Sequence, residues 1–189
     1  MRIDIMCDLE TLGKGDDTYV FQIAAAAFDI YTGEILDTFN WVCDIGSEKF
    51  TVDGSTLKWW LNTDAELLKS LIAQGKGTEQ YMFELFHNWL IKLQNNGNNT
   101  VYFWGNGILF DNRIVKAKFE KYGMEYPIFY RNDRDLRTIL DVVESKFGID
   151  PKAECLDPSK PAHDAMNDVE YQIKIAYYCW NCINPMPIG

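Results

Sequence analysis

The stretch "RIDIMCDLET", residues 2–11, decides the fold. Ile3, Ile5 and Cys7 lie on one side of an extended chain and Met6 on the other, so both faces carry apolar residues. That is the pattern of a strand in the middle of a sheet rather than at its rim. Residues 2–7 therefore predict a central strand. Asp8 and Glu10 continue it; at i and i+2 their side chains leave the same face, about 6.6 Å apart along the chain. Two carboxylates at the end of a buried strand are costly unless they are paired or bind metal. A D-x-E on a polar edge face would be ordinary, but the apolar residues on both sides argue against an edge.

Two further strands follow, over 19–30 and 35–43, joined through the turn signal "YTGE" with Gly33. "AAAA" at 24–27 has poor intrinsic strand propensity and is the weakest part of that reading. "STLKWWL" reads as a short helix, and "TDAE" at 63–66 as a capping box, with Thr63 at the cap, opening a helix to about Ala73. Thr78 starts another helix, with Met82, Leu85, Phe86, Trp89, Leu90 and Leu93 on one face, ending before Gly97. His87 falls off that stripe and reads as a solvated surface histidine. "TVYFW" is a buried strand, followed by the turn "GNG" and a helix carrying Ile114, Val115, Phe119 and Tyr122. A short strand near 128–130 precedes a helix with Leu136, Ile139, Leu140, Val143 and Phe147. The last helix, from Asp164, buries Val169, Ile173, Ala176, Trp180 and Ile183. Three consecutive strands, then alternating helices and strands, predict an α/β fold: a mixed sheet of about five strands flanked by helices. One domain over 1–183 is expected, with a C-terminal tail over 184–189.

With 189 residues, 47% hydrophobic and 14% aromatic, the chain can fill one core. The charges at Asp4 and Asp8 argue against a signal peptide, and no apolar run reaches the ~18 residues of a membrane span. Five cysteines, an odd number, predict reduced thiols and a cytosolic setting. Cys179 and Cys182 form a C-x-x-C pair, but no second pair or nearby histidine completes a zinc site, so they are expected to pack or face solvent. A net charge of −10 argues against clamping duplex DNA by phosphate neutralisation. It leaves room for an enzyme that takes the end of a strand, since carboxylates holding divalent ions add formal negative charge.

Three segments bring further chemistry. "GNGILFDN" puts Asp111 near the start of a helix after a buried strand, where it could be a ligand or only a cap. "KPAHDAMNDVEY", residues 160–171, holds His163 and Asp168. Five residues along a helix is about 500°, which sets the two on different faces, about 140° apart. If they serve one site, His163 must sit on the loop before the helix and fold back over it. Pro161 resists an earlier helix start, and Asp164 is the expected N-cap. Asp8, Glu10, Asp111 and Asp168 are hard oxygen donors suited to Mg²⁺ or Mn²⁺. Four carboxylates can hold two ions about 3.5–4 Å apart, the arrangement that clamps a phosphodiester between attacking and leaving oxygens. A histidine titrating near neutrality could deprotonate the attacking water.

Asp8-x-Glu10, Asp111 and His163-x₄-Asp168, in that order, resemble the DEDDh 3′→5′ exonucleases of the ribonuclease H-like superfamily. "STLKWW", "GNGILFDN", "RNDRDLRTILD" and "AHDAMNDV" resemble the branch containing exonuclease VIII, phage exonuclease A and ribonuclease AS, over about residues 3–180. The resemblance implies a ribonuclease H-like fold, with Asp8, Glu10, Asp111 and Asp168 as ligands of two Mg²⁺ ions, for which Mn²⁺ substitutes, and His163 as general base. It further implies that Thr11 and Leu12 touch the terminal nucleotide and that Trp59 and Trp60 line the substrate entrance. Indoles there can stack on bases, but adjacent helix residues point about 100° apart, so one of the two is expected in the core. Asn106 and Arg137 are candidates for orienting phosphate or ribose, though Arg137 could equally pair with Asp135 or Asp141. The implied partner is the 3′ end of a single-stranded nucleic acid, in bacterial or phage-infected host cytoplasm, with no membrane and room for a homodimer.

Two alternatives compete. "HD" at 163–164 suggests a phosphohydrolase of that motif, but such chemistry wants further histidines and His87 is the only other one. A nucleic-acid-binding accessory module could keep the fold without turnover; the intact catalytic letters count against it. DNA and RNA both stay open as substrates, because the 2′-hydroxyl contacts that separate them are not written in the sequence.

Overall fold

Strand β1 (Arg2–Thr11) lies at the centre of a five-stranded sheet in a computed structural model describing residues 1–159 and 163–184. It pairs antiparallel with β2 (Val20–Phe28), which pairs antiparallel with β3 (Ile35–Val42). On its other side β1 runs parallel to β4 (Thr100–Gly105), and β4 parallel to β5 (Asp133–Asp135). The order β3-β2-β1-β4-β5 is the mixed sheet with adjacent first strands that the sequence predicts.

Helices cover both faces. Ile3, Ile5, Cys7 and Leu9 of β1 join one core with residues of α1 (Gly54–Thr63), α2 (Ala65–Ala73), α3 (Glu79–Gln94) and α4 (Asp111–Lys121). Met6 joins a second core with α5 (Leu136–Phe147) and α7 (Ala165–Ile183), next to the short α6 (Pro151–Cys155). Because side chains alternate along a strand, Asp8 and Glu10 share the face of Met6 and point towards α7. Ala24–Ala27 form the middle of β2 and are fully buried. Their low strand propensity is overridden by pairing on both sides, and the small side chains of Ala24 and Ala26 let α7 pack across β1 and β2.

Several local expectations need correction. Residues 128–130 are not a strand: Ile128 is buried, Phe129 and Tyr130 are exposed, and the Asn132 N–H closes a turn onto the Phe129 carbonyl at 2.7 Å. The true strand is the charged "DRD" of β5, hidden from hydrophobic patterning because its acids are satisfied by partners that folding brings in. Asp133 accepts from Asn112 Nδ2 and the Tyr126 hydroxyl, and Asp135 from the Ile108 and Thr138 N–H groups. Thr63 does not cap α2; α1 runs through it, and the Asp64 carboxylate accepts from Leu67 N–H at 2.8 Å. The buried face of α3 is Met82, Phe83, Phe86 and Leu90, turned towards Phe83 because α4 lies alongside, with Phe83 and Phe119 edge to face. His87 is half-buried rather than solvated, its Nε2 2.9 Å from the Glu125 carbonyl and its ring against Phe119. On α7, Trp180 and Ile183 are only half-buried, and Gln172, Ile175 and Cys179 are buried instead. Cys179 is a core residue whose thiol burial pushes up to about 12, and Cys182 packs half-buried beside that core. Pro161 and, apart from Asn184, the expected tail lie outside the described residues. Among the described residues no helix is long and apolar enough to cross a membrane.

Candidate active site

The carboxyl end of β1 meets the amino end of α7. A register shift at Glu10/Thr11 breaks the β1–β2 ladder beyond the D-x-E, a bulge of the kind that re-aims side chains beside functional sites. Helix α7 begins as expected: the Asp164 carboxylate accepts from Met166 and Asn167 N–H at 3.1 and 3.3 Å. Asp168 therefore sits in the first turn, where the helix dipole favours negative charge. His163 lies on the preceding turn in a left-handed conformation (φ 66°), and its backbone N–H reaches back to Asp168 Oδ2 at 3.1 Å. Its imidazole meets the Trp59 indole edge to face, with centroids 5.0 Å apart.

Asp8, Glu10 and Asp168 each offer an oxygen, and these oxygens all lie within 4.8 Å of one another. The three line a cleft of about 350 Å³ together with Asn106, Asp111, Arg137 and His163. Asp111 borders the same cleft from the first turn of α4, its Oδ2 3.5 Å from the Gly107 N–H, but it is not one of the three acids whose oxygens lie within 4.8 Å of one another. Its approach depends on Gly105 at the end of β4. A Cβ there would stand 2.6 Å from Asn112 Oδ1 and 3.0 Å from the Asp111 Cβ.

Burial and mutual repulsion raise the proton affinity of these acids. Burial holds Asp8 well above the usual carboxylate range, reinforced by the charges of Asp111 and Asp168 and opposed by a hydrogen bond from Gln172. Burial, then Asp8 and Asp168, push Glu10 up to about 10. Asp111 rises to about 7 through burial, moderated by the Gly107 N–H and Arg137, and burial also raises Asp168.

The protein neutralises its other buried acids itself. Glu79 pairs with Lys118 at 2.5 Å and with Lys121, and Asp4 with Arg2 at 2.7 Å. Among the described residues no lysine or arginine forms an ion pair with Asp8, Glu10 or Asp168. Three converging hard oxygen donors without a protein counter-charge fit a divalent cation.

The other expected site residues are distributed around this centre. Beside the cleft is a second hollow of about 630 Å³, lined by Glu10, Thr11, Trp59 and Trp60 among others. Trp59 is 44% exposed, whereas Trp60 is 1% exposed and donates from Nε1 to the Thr11 carbonyl at 3.1 Å. Leu12 is buried in the larger core. Asn106 and Arg137 both border the carboxylate cleft; among the described residues Arg137 ion-pairs with neither Asp135 nor Asp141, and its guanidinium lies against Gly107.

Sequence reasoning missed Gln172, whose Nε2 donates to Asp8 Oδ1 at 2.9 Å, and Lys152 and Tyr171, which also border the cleft. The signal for Gln172 was available: four residues after Asp168, it occupies the same helix face.

The family model described as the 3′-5′ exoribonuclease Rv2179c-like domain matches residues 3–180, the span containing every group in this site. The chain belongs to that family. An exodeoxyribonuclease of Enterobacteria phage T4 is 24% identical over 93% of this chain and 88% of its own length. The exoribonuclease-domain fold also recurs in solved structures. Cell-death related nuclease 4 (CRN-4) superposes with a TM-score of 0.70 at 20% identity, over 95% of this chain and 64% of that one. The nuclease domain of 3′hExo, a DEDDh family member solved bound to rAMP, gives 0.63 at 10% identity, over 95% and 92%. Exonuclease I of Methylocaldum szegediense gives 0.71 at 16% identity, with this chain spanning 42% of it.

Proposed function

We propose that this chain is a divalent-metal-dependent 3′→5′ exonuclease of the DEDDh type, removing nucleotides from the 3′ ends of single-stranded DNA or RNA. The observation that carries the reading is the set of converging, uncompensated carboxylates of Asp8, Glu10 and Asp168, within 4.8 Å of one another. Asp111, which borders the same cleft, would complete a donor set for two ions, Mg²⁺ or Mn²⁺. Bound there, the ions would acidify a water and offset the charge that builds on the phosphodiester.

The chain's own side chains supply the rest. His163 accepts the proton of the attacking water from its turn above Asp168. Gln172 occupies one oxygen of Asp8 and so fixes the direction of the other. Arg137 and Asn106 orient the scissile phosphate at the cleft rim. The neighbouring hollow receives the terminal nucleoside, with Thr11 at the strand end, Trp59 as the exposed stacking surface and Trp60 as the wall behind it, while Leu12 stays in the core and does not line it. The match to a phage exodeoxyribonuclease supports the exonuclease VIII, phage exonuclease A and ribonuclease AS branch. Five free cysteines fit a reducing, cytoplasmic setting.

The test uses 5′-labelled DNA and RNA oligomers of one sequence with Mg²⁺. Progressive shortening from the 3′ end, abolished by EDTA, is expected, and the ratio of the two rates fixes the sugar preference. Binding of both oligomers without shortening would replace the enzyme with a binding module.

A further inference from the structure

Three of the chain's five arginines stand at every third residue of "RNDRDLR", residues 131–137. This segment forms the outer edge of the sheet, since β5 is its last strand. Interleaved acids would normally cancel such a run. Here Asp133 and Asp135 are turned inwards and spent: Asp133 accepts from Asn112 and Tyr126, and Asp135 accepts from the Ile108 N–H and caps α5. The arginines are left as the outward charge of this edge, in a protein whose net charge is −10.

Their surroundings are aromatic. The Arg131 guanidinium lies 5.3 Å from the centroid of the Tyr130 ring and donates to its hydroxyl at 2.7 Å. Arg134 lies 4.5 Å from the centroid of Tyr102, held there by bonds to the Arg131 and Asp133 carbonyls. Tyr130 and Phe129, 68% and 57% exposed, contact each other with centroids 4.7 Å apart. Two adjacent exposed aromatic rings next to fixed guanidinium groups combine the two elements of single-strand recognition, base stacking and phosphate attraction.

The segment also leads to the candidate active site. Arg137 borders the carboxylate cleft. In the parallel β1–β4 register Val101 pairs with Ile3 and Gly105 with Cys7, and Asn132 bonds to the Val101 carbonyl. The 129–132 turn is thus about five residues, or about 16 Å, down the sheet from the level of Asp8. That span falls within the reach of single-strand grooves, which track on the order of 4–16 nucleotides.

We propose that Arg131 and Arg134, with Tyr130 and Phe129, form an extended binding track along the β5 edge for the upstream, single-stranded body of the substrate whose 3′ end is in the cleft. The proposal rests on the exonuclease reading for its direction, 3′ end at Asp8 and 5′ body towards Phe129. The track itself recognises backbone charge and base faces, so it takes DNA and RNA alike.

The experiment compares a 12-nucleotide oligomer with a dinucleotide, using the Arg131→Ala/Arg134→Ala double variant and the single charge reversal Arg131→Glu. Arg131→Glu guards against misfolding, because the Arg131 side chain is exposed and among the described residues its hydrogen bond is to Tyr130 alone. The KM for the long oligomer should rise about 10-fold, the slope of log KM against log salt should fall by about 1.4 for two lost phosphate contacts, and dinucleotide turnover should stay at the parental value. Parental KM and salt slope on the long oligomer in both variants would overturn the track. If the parent cleaves neither substrate, the exonuclease reading fails separately, and oligomer binding by fluorescence anisotropy decides the track: length-dependent weakening in the variants sustains it, unchanged affinity removes it.

Discussion

The Gln172 amide on α7 donates to Asp8 Oδ1 on β1 at 2.9 Å, tying the D-x-E strand to the helix that carries Asp168. The other end of this amide, Oε1, is buried without a hydrogen-bond partner among the described residues. The side chain therefore does more for Asp8 than for the fold. Replacing it by the similarly sized leucine removes an unsatisfied buried polar atom as well as the bond, so stability should change by less than about 1.5 kcal/mol. Turnover should fall about 10–100-fold, the usual effect of losing a group that orients a metal ligand. Parental kcat in a folded Gln172→Leu protein would show that Asp8 needs no such guide.

The acids themselves give a stability test. Asp8, Glu10, Asp111 and Asp168 all have proton affinities raised above the ordinary carboxylate range, Asp111 to about 7 and Glu10 to about 10. A carboxyl whose folded pKa is raised contributes stability that is complete below its unfolded pKa of about 4 and is lost as pH rises through the folded value. Metal-free protein should therefore lose melting temperature steadily from about pH 5 to pH 8. Mg²⁺ should restore it, by an increment that grows with pH as protons stop competing for the same oxygens. Asp8→Asn should flatten the metal-free slope and abolish turnover. A melting temperature in EDTA that is level or rising over that range would mean these acids are not forced together as their geometry indicates.

How much of this was legible in the sequence follows from which forces leave local traces. The central position of β1 and the common face of Asp8 and Glu10 were readable, because alternation and apolar content on both sides are local properties. So was the Asp164 cap that lifts His163 onto a turn. The β5 strand was not, because "DRD" pairs with β4 while its acids are satisfied by the Asn112 and Tyr126 side chains and the Ile108 N–H, groups that only folding brings together. For Gln172 the helix face it shares with Asp168 was readable, but its bond to Asp8, 164 residues away, was not. The pairing of Asp8 with a helix residue appears only once α7 is laid across β1.

The two indoles of α1 should respond differently to removal. Trp60 is buried, edge on to Phe21 at 5.6 Å, and bonded to the Thr11 carbonyl. Trp60→Ala should cost about 3–5 kcal/mol, and its kinetic defects should track the loss of folded protein. Trp59 is exposed on one side and meets His163 on another. Trp59→Ala should cost less than about 1 kcal/mol, weaken binding of single strands by about 1–3 kcal/mol, and lower the rate at saturation through the loosened histidine. Equal melting-temperature losses in the two variants, with unchanged affinity in both, would assign the whole pair to the core.

His163 adopts φ 66°, a conformation uncommon for residues other than glycine and tolerated best by asparagine, aspartate and histidine. Its own N–H bond to the Asp168 carboxylate holds it there, over the carboxylate cluster. His163→Asn separates a catalytic from a structural role, since asparagine accepts the backbone geometry and retains the N–H but cannot act as a base. Its stability should lie within about 1 kcal/mol of the parent, and metal content and oligomer affinity should be unchanged. Single-turnover cleavage should slow about 10²–10⁴-fold, the contribution of a positioned general base. His163→Ala should slow cleavage as much but melt lower, because alanine lacks the local tolerance of asparagine for this backbone. If both variants cleave within a few-fold of the parent, His163 is a structural residue of the turn and the proton of the attacking water has another acceptor.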